Sequence, residues 1–289
     1  MSKKFTLIPL AAAFIAANAF AKVETITLED LPVLKQESQH STASKRVTNF
    51  FTRAHYKLID LNDELSTKIF DRYLESLDFG KRMFLKSDID SFEQYRFLVD
   101  NALSTGKLDF AFDIFNVSMK RRFDSYQYSI SLLDKEMKFD KEDEYKFDRE
   151  EAQWATTQAE LNEIWRQRVK YDALRLKMTG KEWPDIKKIL TKRYSYTLKR
   201  LVQTNSEDAF QIAMNAFARS IEAHTSYLSP RRAEQFKMDM DLELEGIGAT
   251  LSLMDEGYTV IKAIVPGGAA YTQGGLKVED KIVAVGQGE

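Results

Sequence analysis

Leu244-Glu245-Gly246-Ile247-Gly248-Ala249-Thr250-Leu251 decides how this chain is read. Two glycines stand at the mouth of a strand, and glycine enters left-handed backbone conformations without the steric cost that other residues meet. A turn of that kind can point successive backbone N–H groups at one carboxylate. The strand after it offers an edge along which an extended peptide can pair. Gly246, Ile247, Gly248, Ala249, Thr250 and Leu251 are therefore the candidate peptide-binding residues. The amides near Ile247 and Gly248 would hold a C-terminal carboxylate, and residues 249–253 would pair with the residues before it. The plainer reading of a glycine pair beside a strand is a turn or bulge. Context favours binding: a strand precedes the pair, another follows, and an alanine-rich helix start at 267–275 leads to a strand over 280–285.

Upstream the periodicity is different. From about Ser44 to Met240 apolar residues recur at three and four, the helical spacing, and near Asp241 the period changes to two. This predicts an α+β chain: a mainly α domain over 22–240, then a mostly β domain over 241–289. Val47, Phe50, Phe51, Ala54 and Leu58 mark one helix, and Leu65, Ile69, Tyr73 and Leu77 the next. A third starts at a Ser87/Asp88 cap and ends at Gly106. The longest, over 108–133, carries Leu108, Ala111, Phe115, Met119, Phe123, Tyr126 and Ile130 on one stripe, which reads as core packing. Residues 135–156 are a charged interruption, expected to be a solvated loop or short hairpin. Helices resume over 159–178 and 184–202, then from Thr204/Ser206, and finally at a Ser229-Pro230 start.

Two lysines (Lys3, Lys4), an apolar run from Leu7 to Ala17 and the small-x-small triplet Ala19-Phe20-Ala21 lay out a secretory signal peptide over 1–21, cut between Ala21 and Lys22. The apolar run is well short of the roughly 20 residues of a spanning helix. No transmembrane segment is therefore expected in the mature chain. Cleavage removes two lysines, leaving 40 basic against 44 acidic residues, so the net charge moves from -2 to -4. That balance argues against nucleic acid as a partner. Zero cysteines in an exported chain excludes a disulfide framework and thiolate metal sites, and fits a Gram-negative periplasm.

Nothing here assembles a catalytic centre. There is no G-x-S-x-G elbow, no H-E-x-x-H and no phosphate-binding loop. His40, His55 and His224 lack metal-ligand spacing, and neither a metal nor another cofactor is expected. Ser104-Thr105-Gly106-Lys107 matches a bare S-x-x-K pattern. It sits at a helix end, where nothing would desolvate the lysine and lower its pKa.

Several blocks resemble the tail-specific, or C-terminal processing, serine peptidases of Gram-negative periplasms (peptidase family S41). They are Phe51-Thr52-Arg53-Ala54-His55-Tyr56, Lys68-Ile69-Phe70-Asp71-Arg72-Tyr73-Leu74 and Lys120-Arg121-Arg122-Phe123-Asp124-Ser125-Tyr126-Gln127-Tyr128. The most specific runs from Thr204-Asn205-Ser206-Glu207-Asp208-Ala209-Phe210 to His224-Thr225-Ser226-Tyr227-Leu228-Ser229-Pro230 and on into the glycine pair. The spacing of Pro266-Gly267-Gly268-Ala269-Ala270 and Glu279-Asp280-Lys281-Ile282 then resembles a PDZ domain. Two local departures stand out: Glu222-Ala223 where the family usually has Asp-Pro, and Glu279 where a glycine is common.

The resemblance implies a protease that takes exported proteins by apolar, unstructured C-termini and cleaves them with a Ser/Lys dyad. It also implies a helical vault with a docking face for a lipoprotein adaptor, and cell-envelope proteins as substrates. No position here matches the serine or lysine motif, so no catalytic residue is assigned and the chain alone is expected to be inactive. Half of the PDZ groove is also expected to lie beyond residue 289, leaving the C-terminal segment loosely folded and weak in binding. The alternative is a secreted tail-binding module without catalysis. A trypsin-like protease with a PDZ domain is excluded, because its catalytic barrel should precede the PDZ and that region reads as helical.

Overall fold

The computed structural model describes residues 26–140, 143–241, 246–254 and 259–286. The expected signal peptide and its Ala21/Lys22 junction, and Leu244 and Glu245 of the deciding stretch, lie outside them. The architecture is α+β: a helical bundle followed by a small antiparallel sheet.

The bundle is organised around one long helix. The 3₁₀ turn Leu28–Asp30 leads into α1 (Ser38–Arg53), α2 (Asp63–Asp78), α3 (Lys86–Phe92), α4 (Val99–Thr105) and α5 (Asp109–Leu132). Then come α6 (Gln158–Met178), α7 (Trp183–Val202), α8 (Ser206–Ile221) and α9 (Pro230–Asp241). Helix α5 packs against α6, α7 and α8, and α2 packs against α8. Ala111, Phe115, Met119 and Phe123 of the expected stripe are buried, and so are Phe110, Phe112 and Ile114. A helix that buries more than one face is central to its bundle rather than laid on its surface. Ile69, Phe70 and Tyr73 of α2 meet Phe210 and Phe217 of α8 in the main core. Val169 and Ala173 of α6 with Ile186, Leu190 and Tyr194 of α7 form a second.

Local chemistry fixes the helix ends. Asn62 caps α2, its side chain accepting from Leu65 N–H. Asn205 caps α8 with Asp208 bonded back to it, so the start expected at Thr204/Ser206 falls on the residue between them. Pro184 and Pro230 stand in the first turns of α7 and α9. Gly106 ends α4 at φ +70°, and a Cβ there would sit 2.6 Å from Ser41 Oγ and 2.7 Å from Ser41 O of α1.

Two expectations are corrected. Helix α1 stops at Arg53, so Leu58 lies beyond it, 84 % exposed. The single helix expected from Ser87 to Gly106 is broken into α3, a 3₁₀ turn at Glu93–Tyr95 and α4. The break is tertiary: Ser66 Oγ of α2 accepts from Val99 N–H at 2.9 Å and donates to Arg96 O, capping α4 from a distance. The 135–156 segment is the expected surface loop, mostly exposed, with no hairpin among the described residues, and it is fastened to the bundle at several points. Lys81 Nζ, Arg82 and Lys86 N–H donate to the carbonyls of Glu150, Phe147 and Ala155, and Asp143 pairs with Arg166 and Lys170 of α6. Tyr145 and Phe147 pack on Tyr171.

The sheet contains β1 (Ala249–Leu253), β2 (Thr259–Ile264) and β3 (Lys281–Ile282), in the order β1-β2-β3 and antiparallel throughout. Ala249 pairs with Ile264 and Leu253 with Thr259, with a bulge between Thr250 and Leu251. Helix α10 (Ala269–Gln273) links β2 to β3. The strand expected over 280–285 is regular only at Lys281–Ile282, and Val283 and Val285 are exposed. Among the described residues no helix is long and apolar enough to cross a membrane.

Candidate peptide-binding loop

The turn that enters β1 owes its shape to the two glycines. Gly246 has φ +153° and Gly248 φ +70°, both in territory that side chains resist. At Gly248 there is a second constraint: a Cβ would lie 2.9 Å from Gly268 Cα, and a Cβ at Gly268 would lie 3.1 Å from Gly248 Cα. The loop and the N-terminal end of α10 thus meet backbone to backbone, with room for hydrogen alone.

Three hydrogen bonds lock that contact. Ala270 N–H donates to Ile247 O at 2.8 Å, Val265 N–H to Gly248 O at 2.8 Å, and Gly268 N–H to Val265 O at 3.0 Å. With the carbonyls of Ile247 and Gly248 turned inward to these donors, their N–H groups have no acceptor among the described residues. Two successive unpaired amides at the head of a strand are the elements of an anion nest. Beyond them β1 is the edge of the sheet among the described residues, with β2 on one side only. Leu251 and Leu253 are 46 % and 60 % exposed along it, and Ile247 is 45 % exposed.

The structure therefore brings the six sequence candidates together as one continuous feature, loop then edge strand. Sequence reasoning missed Gly268 and Ala270, which hold the loop in place. Their signal was the Gly267-Gly268 pair, read there as a spacing marker. Glu279, at a position where glycine is common, has φ +73°. Its N–H donates to Ile261 O at 2.8 Å and its carboxylate accepts from Lys262 Nζ at 3.0 Å, which hold the residue in a conformation that costs it about 1–2 kcal/mol. Glu222, the other departure, ends α8 in extended conformation. Its carboxylate accepts from the ring and the N–H of His224 and from Thr225 Oγ, and the His224 contact holds it below the usual range.

The remaining candidates separate. His40 is buried, stacked on Phe210, with Nδ1 accepting from Glu37 N–H and Nε2 facing Glu207 at 3.1 Å. His55 reaches Thr225 Oγ. Ser104 and Lys107 are both exposed. Among the described residues no three potential ligands gather around a metal position.

A helical bundle followed by a sheet with a glycine-locked loop and a free edge is the architecture of a PDZ-bearing protein with a helical leader domain, and the PDZ domain family matches residues 235–289. The tail specific protease N-terminal domain family matches residues 47–231, and the chain belongs to that family. It is similar to the tail-specific protease of Haemophilus influenzae, 46 % identical over 275 residues. That alignment covers 94 % of this chain and 39 % of the relative, so the chain spans well under half the length of the protein it matches.

Proposed function

We propose that this chain forms the N-terminal part of a periplasmic serine endopeptidase, and that its 246–251 loop and edge strand capture the apolar C-terminal tails of exported or cell-envelope proteins. The observation that carries the reading is the pair of N–H groups at Ile247 and Gly248, unpaired among the described residues, in a loop fixed by the Gly248–Gly268 contact and leading into a strand edge that no described strand covers. A terminal carboxylate carries the charge and the acceptor oxygens to satisfy both amides, and the residues before it extend along β1 by main-chain pairing. The exposed Leu251 and Leu253 favour an apolar tail over a polar one.

The captured tail would be delivered to a Ser/Lys peptidase core elsewhere in the full-length protein. Support for that step is the similarity to a tail-specific protease, together with a basic, apolar, small-x-small N-terminus that suits export. A lipoprotein adaptor docking on the helical domain belongs to the same proposal.

The test is anisotropy of a fluorescent apolar-tailed decapeptide titrated with the chain, as the free acid and as the C-terminal amide. The free acid is expected to bind at least tenfold more tightly, because the amide lacks the charge that strengthens the loop's hydrogen bonds. Equal binding of the two would overturn the carboxylate assignment.

A further inference from the structure

The surfaces of the bundle differ in how their charges are balanced. A concavity of about 670 Å³ between α2 and α3 is rich in both signs, with five cations against six carboxylates, and Arg96 pairs with Asp71 and Glu93 and Lys86 with Asp90. Its lining gives an anion no net attraction. A second groove, where α5, α6, α7 and the 77–83 turn meet, is built differently.

That groove is two cavities of about 260 and 450 Å³ that share Arg82, Met83, Tyr126 and Thr197 as common walls. Five arginines line it against two aspartates, in a chain whose net charge is -2. The aspartates are occupied inside the fold. Asp78 accepts from the N–H groups of Arg82, Met83 and Phe84, and Asp172 accepts from Tyr194 OH and Arg168. The other four arginines make no ion pair among the described residues. Arg122 donates to Leu77 O and Arg82 to Phe147 O, both neutral acceptors, while Arg82 Nε is buried with no partner. For Arg193 and Arg200 no side-chain hydrogen bond is present either, and both are exposed. Like charges also crowd here: burial first, and then the Arg82 charge, push the Arg149 guanidinium below its usual value.

Length separates a peptide from a point anion. Arg193, Thr197 and Arg200 are spaced four and three apart on α7, so they share one face of the helix. Seven residues of rise make that face about 10 Å long, the length of about three extended residues. Phe79, 57 % exposed, and Met83 add apolar surface between the cations.

We propose that this groove is a second binding site, for an acidic peptide segment of about three residues that lies along α7 with its carboxylates on Arg122, Arg193 and Arg200. It is independent of the tail-binding loop: its occupant is recognised by acidic side chains and needs no free C-terminus.

The test uses the purified chain and a fluorescein-labelled, C-terminally amidated octapeptide of alternating Glu and aromatic residues, with a Gln-for-Glu analogue as partner. Saturable anisotropy change at low salt is expected for the acidic peptide, weakened at least tenfold in the analogue and in 0.5 M salt. The paired substitution Arg193→Gln/Arg200→Gln, at exposed positions, should weaken it at least tenfold and leave binding of the free-acid apolar tail unchanged. Arg231→Gln, on exposed α9, should change neither. Unchanged affinity in the Arg193/Arg200 variant would overturn the site. So would no saturable binding, complete displacement by inorganic phosphate at equal concentration, or binding to anionic vesicles with none to the peptide.

Discussion

Gly248→Val strikes the loop at its tightest point. The substitution places Cβ 2.9 Å from Gly268 Cα, a backbone atom that cannot swing aside as a side-chain tip could. It also asks a β-branched residue to hold φ +70°. Left-handed backbone costs a non-glycine residue about 1–2 kcal/mol. Forcing two backbones apart adds about 1–3 kcal/mol by analogy with overpacked cores. A loop held mainly by Ala270 N–H to Ile247 O and Val265 N–H to Gly248 O cannot absorb about 2–5 kcal/mol in place. It will shift, and the Ile247 and Gly248 amides will turn with it. Losing one charge-assisted hydrogen bond to a carboxylate costs about 1.5 kcal/mol, so affinity for a free-acid apolar tail should fall at least about tenfold. Gly180→Val separates strain from collision: Gly180 has φ +81° and open space around it, and it lies between α6 and α7. That variant should bind as the parent does. Equal affinity of Gly248→Val and parent, with circular dichroism showing both folded, would refute the argument.

Other predictions follow from the same geometry. Phe217→Ala, at a fully buried ring against Phe51, should cost about 3–5 kcal/mol in urea unfolding of the bundle, whereas a loss under 1 kcal/mol would contradict the core assignment. Glu279→Gly should raise stability by about 0.5 kcal/mol, the relief at φ +73° exceeding the exposed Lys262 pair, and a lower melting temperature would count against it. Lys170 first, and then Arg166, hold the Asp143 carboxylate below its usual value. A depressed folded pKa gives stability that is present above the unfolded value near 4 and disappears as pH falls through the folded one. Asp143→Asn should therefore lower stability by about 0.5 kcal/mol at pH 7 and make no difference near pH 2. An equal effect at both pH values would rule the ion pairs out as its cause.

The helices were legible where one face meets the core, because burial imposes the three-and-four spacing that α2, α5 and α8 carry. The broken helix between Lys86 and Thr105 was not, since the cap on α4 is Ser66, about thirty residues upstream. No local pattern encodes an acceptor that arrives from another helix. The 135–156 segment reads as a solvated loop and is largely exposed, but the partners that Asp143 and the neighbouring carbonyls find on α6 and the 81–86 turn are not encoded locally. At the loop, the glycine pair was readable because positive φ restricts residue type. That Gly248 is also a packing glycine, with Gly268 as its counterpart, needed the fold. At Glu279 the sequence shows only that a glutamate stands where glycine is common, and the left-handed φ of +73° that explains the preference needed the fold.

The Ile247 and Gly248 N–H groups carry the proposed carboxylate site, and nuclear magnetic resonance of the ¹⁵N-labelled chain observes them individually. On adding an apolar peptide with a free C-terminus, those two amide protons should move downfield by the largest amounts in the spectrum, and the C-terminally amidated peptide should leave them in place. If the free-acid peptide binds, shifting other resonances while these two stay where they were, the carboxylate is held elsewhere and the proposed site is wrong.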